Sequence, residues 1–196
     1  MSFEKFNNKL FDKLSLFSLT SGALVLLAIW AFFEASIWFV IPDFFLLVLC
    51  VLSPKKYKKF FLIGIIFSLI GISAYFMFVS QYPGKAGEIL IETPFIRGRM
   101  IEAIGSLYND QGISSVLKQT TTVIPVKVWT YQAVTHNFNF FIYLLFVGIS
   151  RAIRIFLICF IFSIIGNKFK KNIKKYSSIF LFLYIILFFL VLFYIT

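Results

Sequence analysis

Acidic side chains are scarce in this chain, with eight Asp and Glu against nineteen Lys and Arg in 196 residues. Histidine occurs once, as His136, and cysteine twice, as Cys50 and Cys159. A single His excludes a His-based metal cluster. The two Cys sit inside apolar runs far apart in sequence and read as small buried hydrophobes, so neither a disulfide framework nor a metal site is indicated. The sequence has no Ser/His or Cys/His pair, no paired-His motif and no Gly-rich phosphate loop, which argues against an enzyme. No metal and no cofactor are expected.

What the chain has in excess is apolar surface. Hydrophobic residues make up 60% of it, 28 residues are Phe, and the mean hydropathy is +0.93. A soluble domain is nearer half apolar, so lipid is the natural solvent. The net charge of +11 raises the question of nucleic acid, but its distribution argues otherwise. Lys55, Lys56, Lys58 and Lys59 form one cluster, and Lys168, Lys170, Lys171, Lys174 and Lys175 another. Both abut long apolar runs, as cytoplasmic loops do under the positive-inside rule, so no nucleic-acid partner is expected.

Along the chain, Phe3, Phe6, Leu10, Leu14 and Phe17 recur at helical spacing, with Lys5, Lys9 and Asp12 between them. Ser2 is placed to cap this helix. The pattern predicts an interfacial amphipathic helix over 1–15. A secretory signal with Leu19–Phe33 as its apolar core is the alternative, but no small-residue cleavage pattern follows and Glu34 stands in its place, which favours an uncleaved anchor. Residues 16–53 are apolar except for a break at Glu34, Pro42 and Asp43. Residues 60–80 form an uninterrupted apolar run of 21 residues, long enough to span. Residues 81–118 are mixed in charge. Within them Ile96, Met100, Ile101, Ile104, Leu107 and Tyr108 predict an amphipathic helix with Pro94 in its first turn and an end near Gly112. A second span is expected near 138–166, interrupted by Arg151 and Arg154, and a C-terminal transmembrane helix over 176–196.

If both Lys clusters are cytoplasmic, 60–80 runs outward, 138–166 returns and 176–196 runs out again. Residues 16–53 must then enter and leave on one side, as a hairpin or re-entrant loop. Val40-Ile41-Pro42-Asp43 and Val123-Ile124-Pro125-Val126-Lys127 share a local pattern, each followed by a long apolar helix of opposite direction. That is the form of an inverted-topology repeat. The fold class expected is an all-α membrane protein, a multi-pass helical bundle. Two re-entrant hairpins, near 34–53 and 119–135, stand in an inverted-repeat arrangement. Residues 16–175 form the main membrane domain, with Pro42 and Pro125 breaking the re-entrant loops.

The sharpest feature is the set Glu34, Asp43, Lys127, Arg151 and Arg154. Each charge at mid-membrane costs roughly 2.5–3.5 kcal/mol unless paired, hydrated or functional. Eleven uncharged residues precede Arg151 and eleven follow Arg154, roughly 16 Å of helix on either side, too far for an Arg to snorkel. The two Arg are three apart and share a face. Glu34 and Asp43, nine apart, would oppose each other on one unbroken helix; a break at Pro42 lets them converge. An ion-pair network that only holds helices together is the plain alternative to a functional site.

These residues resemble known motifs. Phe33-Glu34-Ala35-Ser36-Ile37-Trp38-Phe39-Val40-Ile41-Pro42-Asp43 is similar to the first motif of the YqaA branch of the DedA/VTT superfamily. Thr122-Val123-Ile124-Pro125-Val126-Lys127-Val128 resembles the second, and Gly148-Ile149-Ser150-Arg151-Ala152-Ile153-Arg154-Ile155-Phe156 the third. Phe39, Ile41, Ala35 and Gln132-Ala133 depart from the family pattern. The resemblance spans about 20–175. It implies two opposed re-entrant hairpins in a bacterial cytoplasmic (inner) membrane, and movement of phospholipid or polyprenyl-phosphate headgroups between leaflets, coupled to protons or sodium. It makes Glu34 and Asp43 the proton- or ion-responsive acids and Arg151 and Arg154 the essential basic pair. Arg and Lys bind phosphate well, so Lys127, Arg151 and Arg154 are expected to hold the lipid phosphate. Membrane lipids are the expected partners, and a homo-oligomer is compatible with the reading. A secondary transporter or channel for a small ion or solute, and a membrane assembly factor without transport activity, are the competing readings.

Overall fold

The computed structural model describes residues 3–37, 43–94 and 96–195, and every regular element among them is helical. Pro42 and Ser2, and with them the first expected loop break and the first expected cap, lie outside the described residues. The helices are α1 (Phe3–Ser18), α2 (Ser21–Ser36), α3 (Asp43–Leu52), α4 (Tyr57–Gln81), α5 (Pro83–Glu92), α6 (Gly98–Gln111), α7 (Val126–Thr135), α8 (Phe140–Lys168), α9 (Lys170–Lys175) and α10 (Ser177–Ile195). Tighter 3-10 segments at Pro54–Lys56 and Gly112–Thr120 precede α4 and follow α6.

Local chemistry sets several of these boundaries. Thr20 Oγ1 accepts from the Ala23 N–H at 3.2 Å and caps α2. Asn139 Oδ1 accepts from the N–H groups of Phe141 and Ile142 at 3.0 and 3.3 Å and caps α8. Pro83 opens α5, where its missing N–H costs nothing. Gly112, at φ +63°, ends α6 in a conformation other residues resist. Pro94 does not open that helix. The Ile96 N–H turns back to the Thr93 carbonyl at 3.2 Å, and α6 begins only at Gly98, after Arg97.

Among the described residues, two helices are long and apolar enough to cross a membrane: Pro54–Gln81 (28 residues) and Phe140–Lys168 (29 residues). At about 1.5 Å per residue each exceeds the roughly 30 Å hydrocarbon core. The expected spans near 60–80 and 138–166 lie inside them. The count is three if α1 and α2, bent by 70°, serve as one span. The outer face of α8 exposes Phe141, Leu145, Ile149, Phe156, Phe160 and Ile164, and α4 exposes Leu62, Ile66, Ile70 and Met77. Apolar stripes of this length suit lipid and not water. The chain is therefore a helical membrane protein. Helices α3 and α7 have ten residues each, about 15 Å, half the hydrocarbon thickness.

Two compact units divide the chain. The first comprises Met1–Ala28, Pro42–Gly64 and Phe156–Thr196; the second comprises Ile29–Ile41 and Ile65–Ile155. In the first, α1 packs on α3, α9 and α10. The residues it buries are Asn7, Phe11 and Ser18, while Phe3, Phe6 and Phe17 of the sequence-read apolar stripe stay exposed. Asn7 explains the difference. Its Nδ2 donates to the Lys175 carbonyl at 2.9 Å, its Oδ1 accepts from the Ser178 N–H at 3.1 Å, and its own carbonyl accepts from Ser177 Oγ at 2.9 Å. This polar clasp joins α1 to the start of α10. Phe44 of α3 meets Tyr184 and Phe188 of α10 edge-on. Cys50 and Cys159, distant in sequence, are buried, free and within hydrogen-bonding reach of each other.

The second unit has a larger core. Trp129, Ile104, Val126, Val128, Tyr143 and Val147 are fully buried in it. Gln132 of α7 donates through Nε2 to the Ile101 carbonyl of α6 at 2.8 Å. Tyr108 of α6 donates to the Trp129 carbonyl at 3.1 Å, and burial pushes its phenol well above the ordinary tyrosine value. These bonds fix α7 against α6 and hold Lys127 in place.

Candidate functional site

Three of the charged residues singled out in the sequence are deeply buried in the second unit: Glu34, Lys127 and Arg151. Glu34 lies in the last turn of α2, Arg151 near the middle of α8 and Lys127 in the first turn of α7. Arg151 Nη2 donates to Glu34 Oε2 in a charge-assisted bond. Arg151 Nε donates to Ser68 Oγ of α4 at 3.0 Å. The guanidinium thus bridges α8 to both α2 and α4, meeting the demand that a buried charge be paired and hydrogen-bonded.

A glycine makes this convergence feasible. A Cβ on Gly71 would strike the Phe32 carbonyl oxygen and stand 3.0 Å from the Ala35 Cβ. Its absence lets α4 approach α2 one turn from Glu34. Ser68 is three residues before Gly71 and shares its helix face, so the same approach carries the hydroxyl to Arg151.

Lys127 sits within electrostatic reach of the Glu34 carboxylate. It also lines a cavity of about 300 Å³ with Phe32, Ser36, Ile37, Ala74, Tyr75, Phe78, Ile89, Leu90 and Thr93. The wall is mainly apolar, and Lys127, Ser36, Tyr75 and Thr93 are its polar residues. Ser36 Oγ donates to the Phe32 carbonyl at 2.9 Å. Lys127 is the one cationic residue of the lining.

Arg154 is half-buried and goes elsewhere. Its Nη1 donates to the Thr122 carbonyl at 3.1 Å, in the stretch that leads through Pro125 into α7. The sequence placed both Arg on one face; Arg151 bonds Glu34 and Ser68, and Arg154 bonds the loop backbone at Thr122. Around the same turn Ser150 Oγ donates to Gln119 Oε1 at 3.2 Å and lies 2.9 Å from Thr120 Oγ1. Thr130 Oγ1 and the Tyr143 hydroxyl are 2.9 Å apart. Pro125 lacks a donor and precedes the first residue of α7. Asp43 belongs to the first unit, as the first residue of α3.

Ser68, Gln119, Thr120, Ser150 and Tyr143 escaped the sequence reading. Ser68 had a usable signal. Ser73 and Ser80 return their hydroxyls to carbonyls four residues back at 2.8 and 2.9 Å, as serines in apolar helices commonly do. Ser68 is instead fully buried beside a small residue at helical spacing, the signature of a close helix contact. Among the described residues no group of three or more His, Cys, Asp or Glu is arranged to hold a metal ion.

Chemically, the cluster offers an acid that neutralises one cation, a second cation at the rim of an apolar cavity and a third on the loop before α7. Protonating Glu34 would remove the counter-charge of Arg151 and weaken the hold on Lys127 in the same event. No protein-family model matches the chain, and no curated protein and no solved structure matches it.

Proposed function

We propose that this chain moves phosphate-bearing lipid headgroups between the leaflets of a membrane, in the manner of the DedA/VTT superfamily its motifs resemble. The observation that carries the reading is Lys127, a buried lysine that lines an apolar cavity, within electrostatic reach of Glu34, itself paired with Arg151. An apolar wall suits an acyl or prenyl chain, and a cation at its edge suits the phosphate.

In this mechanism Glu34 and the phosphate compete for the same cations. With Glu34 ionised, Arg151 is bound to it. Protonation of Glu34 frees the guanidinium to join Lys127 on a headgroup, and loss of the proton expels the lipid. Asp43, one residue beyond Pro42, serves as the second proton- or ion-responsive acid, and Arg154 as the third basic contact. The segments 34–53 and 119–135, each carrying a proline, act as re-entrant hairpins of opposite orientation and alternate the exposure of the site. The setting is a bacterial cytoplasmic membrane, and the protein acts as a transporter without a chemical step, alone or as a homo-oligomer.

The test is reconstitution into phospholipid vesicles with a trace of headgroup-labelled lipid and an impermeant quencher. Protein-dependent exposure of the inner-leaflet label is expected; a rate equal to that of empty vesicles would falsify the proposal. Cavity size favours one competing reading. A volume of about 300 Å³ lies at the small end for ligand sites, which also suits a small organic anion. Uptake of labelled acetate or phosphate into the same vesicles, without lipid movement, would establish that solute transport instead.

A further inference from the structure

The strongest feature outside this site lies in the first unit, where α1 meets α9. Helix α9 and its flanks form a concavity of about 640 Å³ lined by Lys168, Lys170, Lys171 and Lys174, with the amides of Asn167 and Asn172 among them. Lys168, Lys170 and Lys171 are exposed. Like charges crowded on a seven-residue stretch repel one another, and an anion is the ligand that relieves this. Amides interleaved with ammonium groups add neutral donors, the mixture a phosphodiester accepts.

The partner is narrowed by what the concavity is joined to. Asp12 of α1 bridges Lys174 at 2.8 and 2.9 Å through its two carboxylate oxygens, and the buried Asn7 clasps the end of α9 to the start of α10. Helix α1 is therefore held to the basic concavity. Its outward side carries Phe3, Phe6 and Phe17, all exposed, next to a separate stripe of exposed Lys5, Lys9 and Lys13. At 100° per residue the Phe stripe and the Lys stripe adjoin on one side of the helix, leaving Asn7, Phe11 and Ser18 for the protein. Soluble nucleic acid or an acidic protein would satisfy the lysines and leave the Phe stripe in water. A bilayer surface satisfies both.

We propose that α1 and α9 together form a docking surface for the anionic phospholipids of the bilayer in which the protein sits. The exposed Phe side chains of α1 enter the headgroup–acyl boundary, and the lysines of the α9 concavity gather lipid phosphates above it. The proposal stands apart from lipid translocation, since it needs no movement between leaflets.

The test uses the full chain with Asn172→Cys labelled by a polar fluorophore, the wild type serving as the control for labelling of the buried native cysteines. The protein is reconstituted in phosphatidylcholine vesicles carrying equal mole fractions of nitroxide-labelled phosphatidylglycerol or nitroxide-labelled phosphatidylcholine. The expected result is at least threefold stronger quenching by the anionic lipid. That preference should vanish in 1 M salt, where the screening length falls to about 3 Å, and in a Lys170→Gln/Lys171→Gln variant. The salt arm uses the unaltered lysines, so a variant that fails to fold leaves the test intact. A second label at Phe6→Cys should be quenched by acyl-chain nitroxides. Equal quenching by the two headgroups overturns the proposal. So does an unquenched Phe6 label, and so does a single-stranded oligonucleotide that abolishes the lipid preference at physiological salt. A vesicle preparation with no lipid translocation but full anionic preference would sink the transport reading and leave this one standing.

Discussion

Arg151 in α8 donates to the carboxylate of Glu34 in α2, 117 residues earlier in the chain, and both side chains are buried. Removing one partner of a buried pair leaves an uncompensated charge, at a cost of about 3–5 kcal/mol. Glu34→Gln and Arg151→Met should each lower the thermal unfolding midpoint in detergent sharply. The double variant Glu34→Gln/Arg151→Met should be more stable than Glu34→Gln alone, because it removes the Arg151 guanidinium together with its counter-charge. Simple addition of the two single losses would show that the residues act independently.

Gly71 permits the approach that brings Ser68 to Arg151. Gly71→Ala is expected to destabilise by about 1–3 kcal/mol, the usual range for overpacking, because the carbonyl of Phe32 is backbone and cannot rotate aside. Gly84 in α5 is the control: nothing lies within 4 Å of a Cβ there. Gly84→Ala should be neutral or stabilising by up to about 1 kcal/mol from helix propensity. Equal losses in the two variants, measured by thermal unfolding, would show that close helix contact is not the reason for Gly71.

The spans were legible because length and hydropathy suffice for them: 21 residues without a charge at 60–80, mostly apolar, need no partner to be recognised. The end of α6 was legible for a local reason, since Gly112 supplies a conformation that other residues resist. Pro83 carried the same kind of local signal for α5, and went unread beside the charged residues that follow it. What sequence spacing cannot reveal is which face of a helix a distant partner covers. Asn7 carries no apolar signal in the sequence, yet it is buried, its amide bonding the start of α10. The spacing put Arg151 and Arg154 on one face but could not name Glu34 and Ser68 as partners of the first or the Thr122 carbonyl as a partner of the second. The candidate charges themselves were legible, because each interrupts an otherwise apolar run; the identity of their partners depends on the tertiary fold.

Tyr108 gives a pH dependence outside the spans. Its hydroxyl is buried and donates to the Trp129 carbonyl, and burial raises its pKa above the ordinary value of 10.0. A group raised in the folded state contributes stability that is present below its unfolded pKa and lost as pH rises past it. Wild-type stability should therefore fall above pH 10 more steeply than that of Tyr108→Phe. At neutral pH the variant should lose only about 1 kcal/mol, the worth of one hydrogen bond. Parallel stability curves from pH 8 to 11 would remove Tyr108 as the titrating group.

The Lys clusters predict the topology. Single cysteines at Lys56 and Lys171 should resist an impermeant maleimide added to intact cells and react after permeabilisation. Labelling of either position in intact cells would reverse the orientation argued from charge.

Lys127 decides between a lipid site and a scaffold of ion pairs. It lines the cavity; Arg151 bonds Glu34 and Ser68, and Arg154 bonds the Thr122 carbonyl among its contacts. Met has similar length and no charge, so Lys127→Met keeps the wall filled. Glu34 retains Arg151 in this variant, so its carboxylate is not left without a counter-charge. The variant should therefore fold, and its lipid movement in reconstituted vesicles should fall at least tenfold, a loss of about 1.4 kcal/mol in effective phosphate binding. Arg151→Lys makes the complementary case. It keeps the positive charge beside Glu34 but loses the second donor to Ser68 and the planar fork that grips a phosphate with two bonds. It too should fold and transport poorly. Full transport by Lys127→Met would remove the cavity from the mechanism. Unfolding of both variants would instead assign the buried charges to holding the helices together.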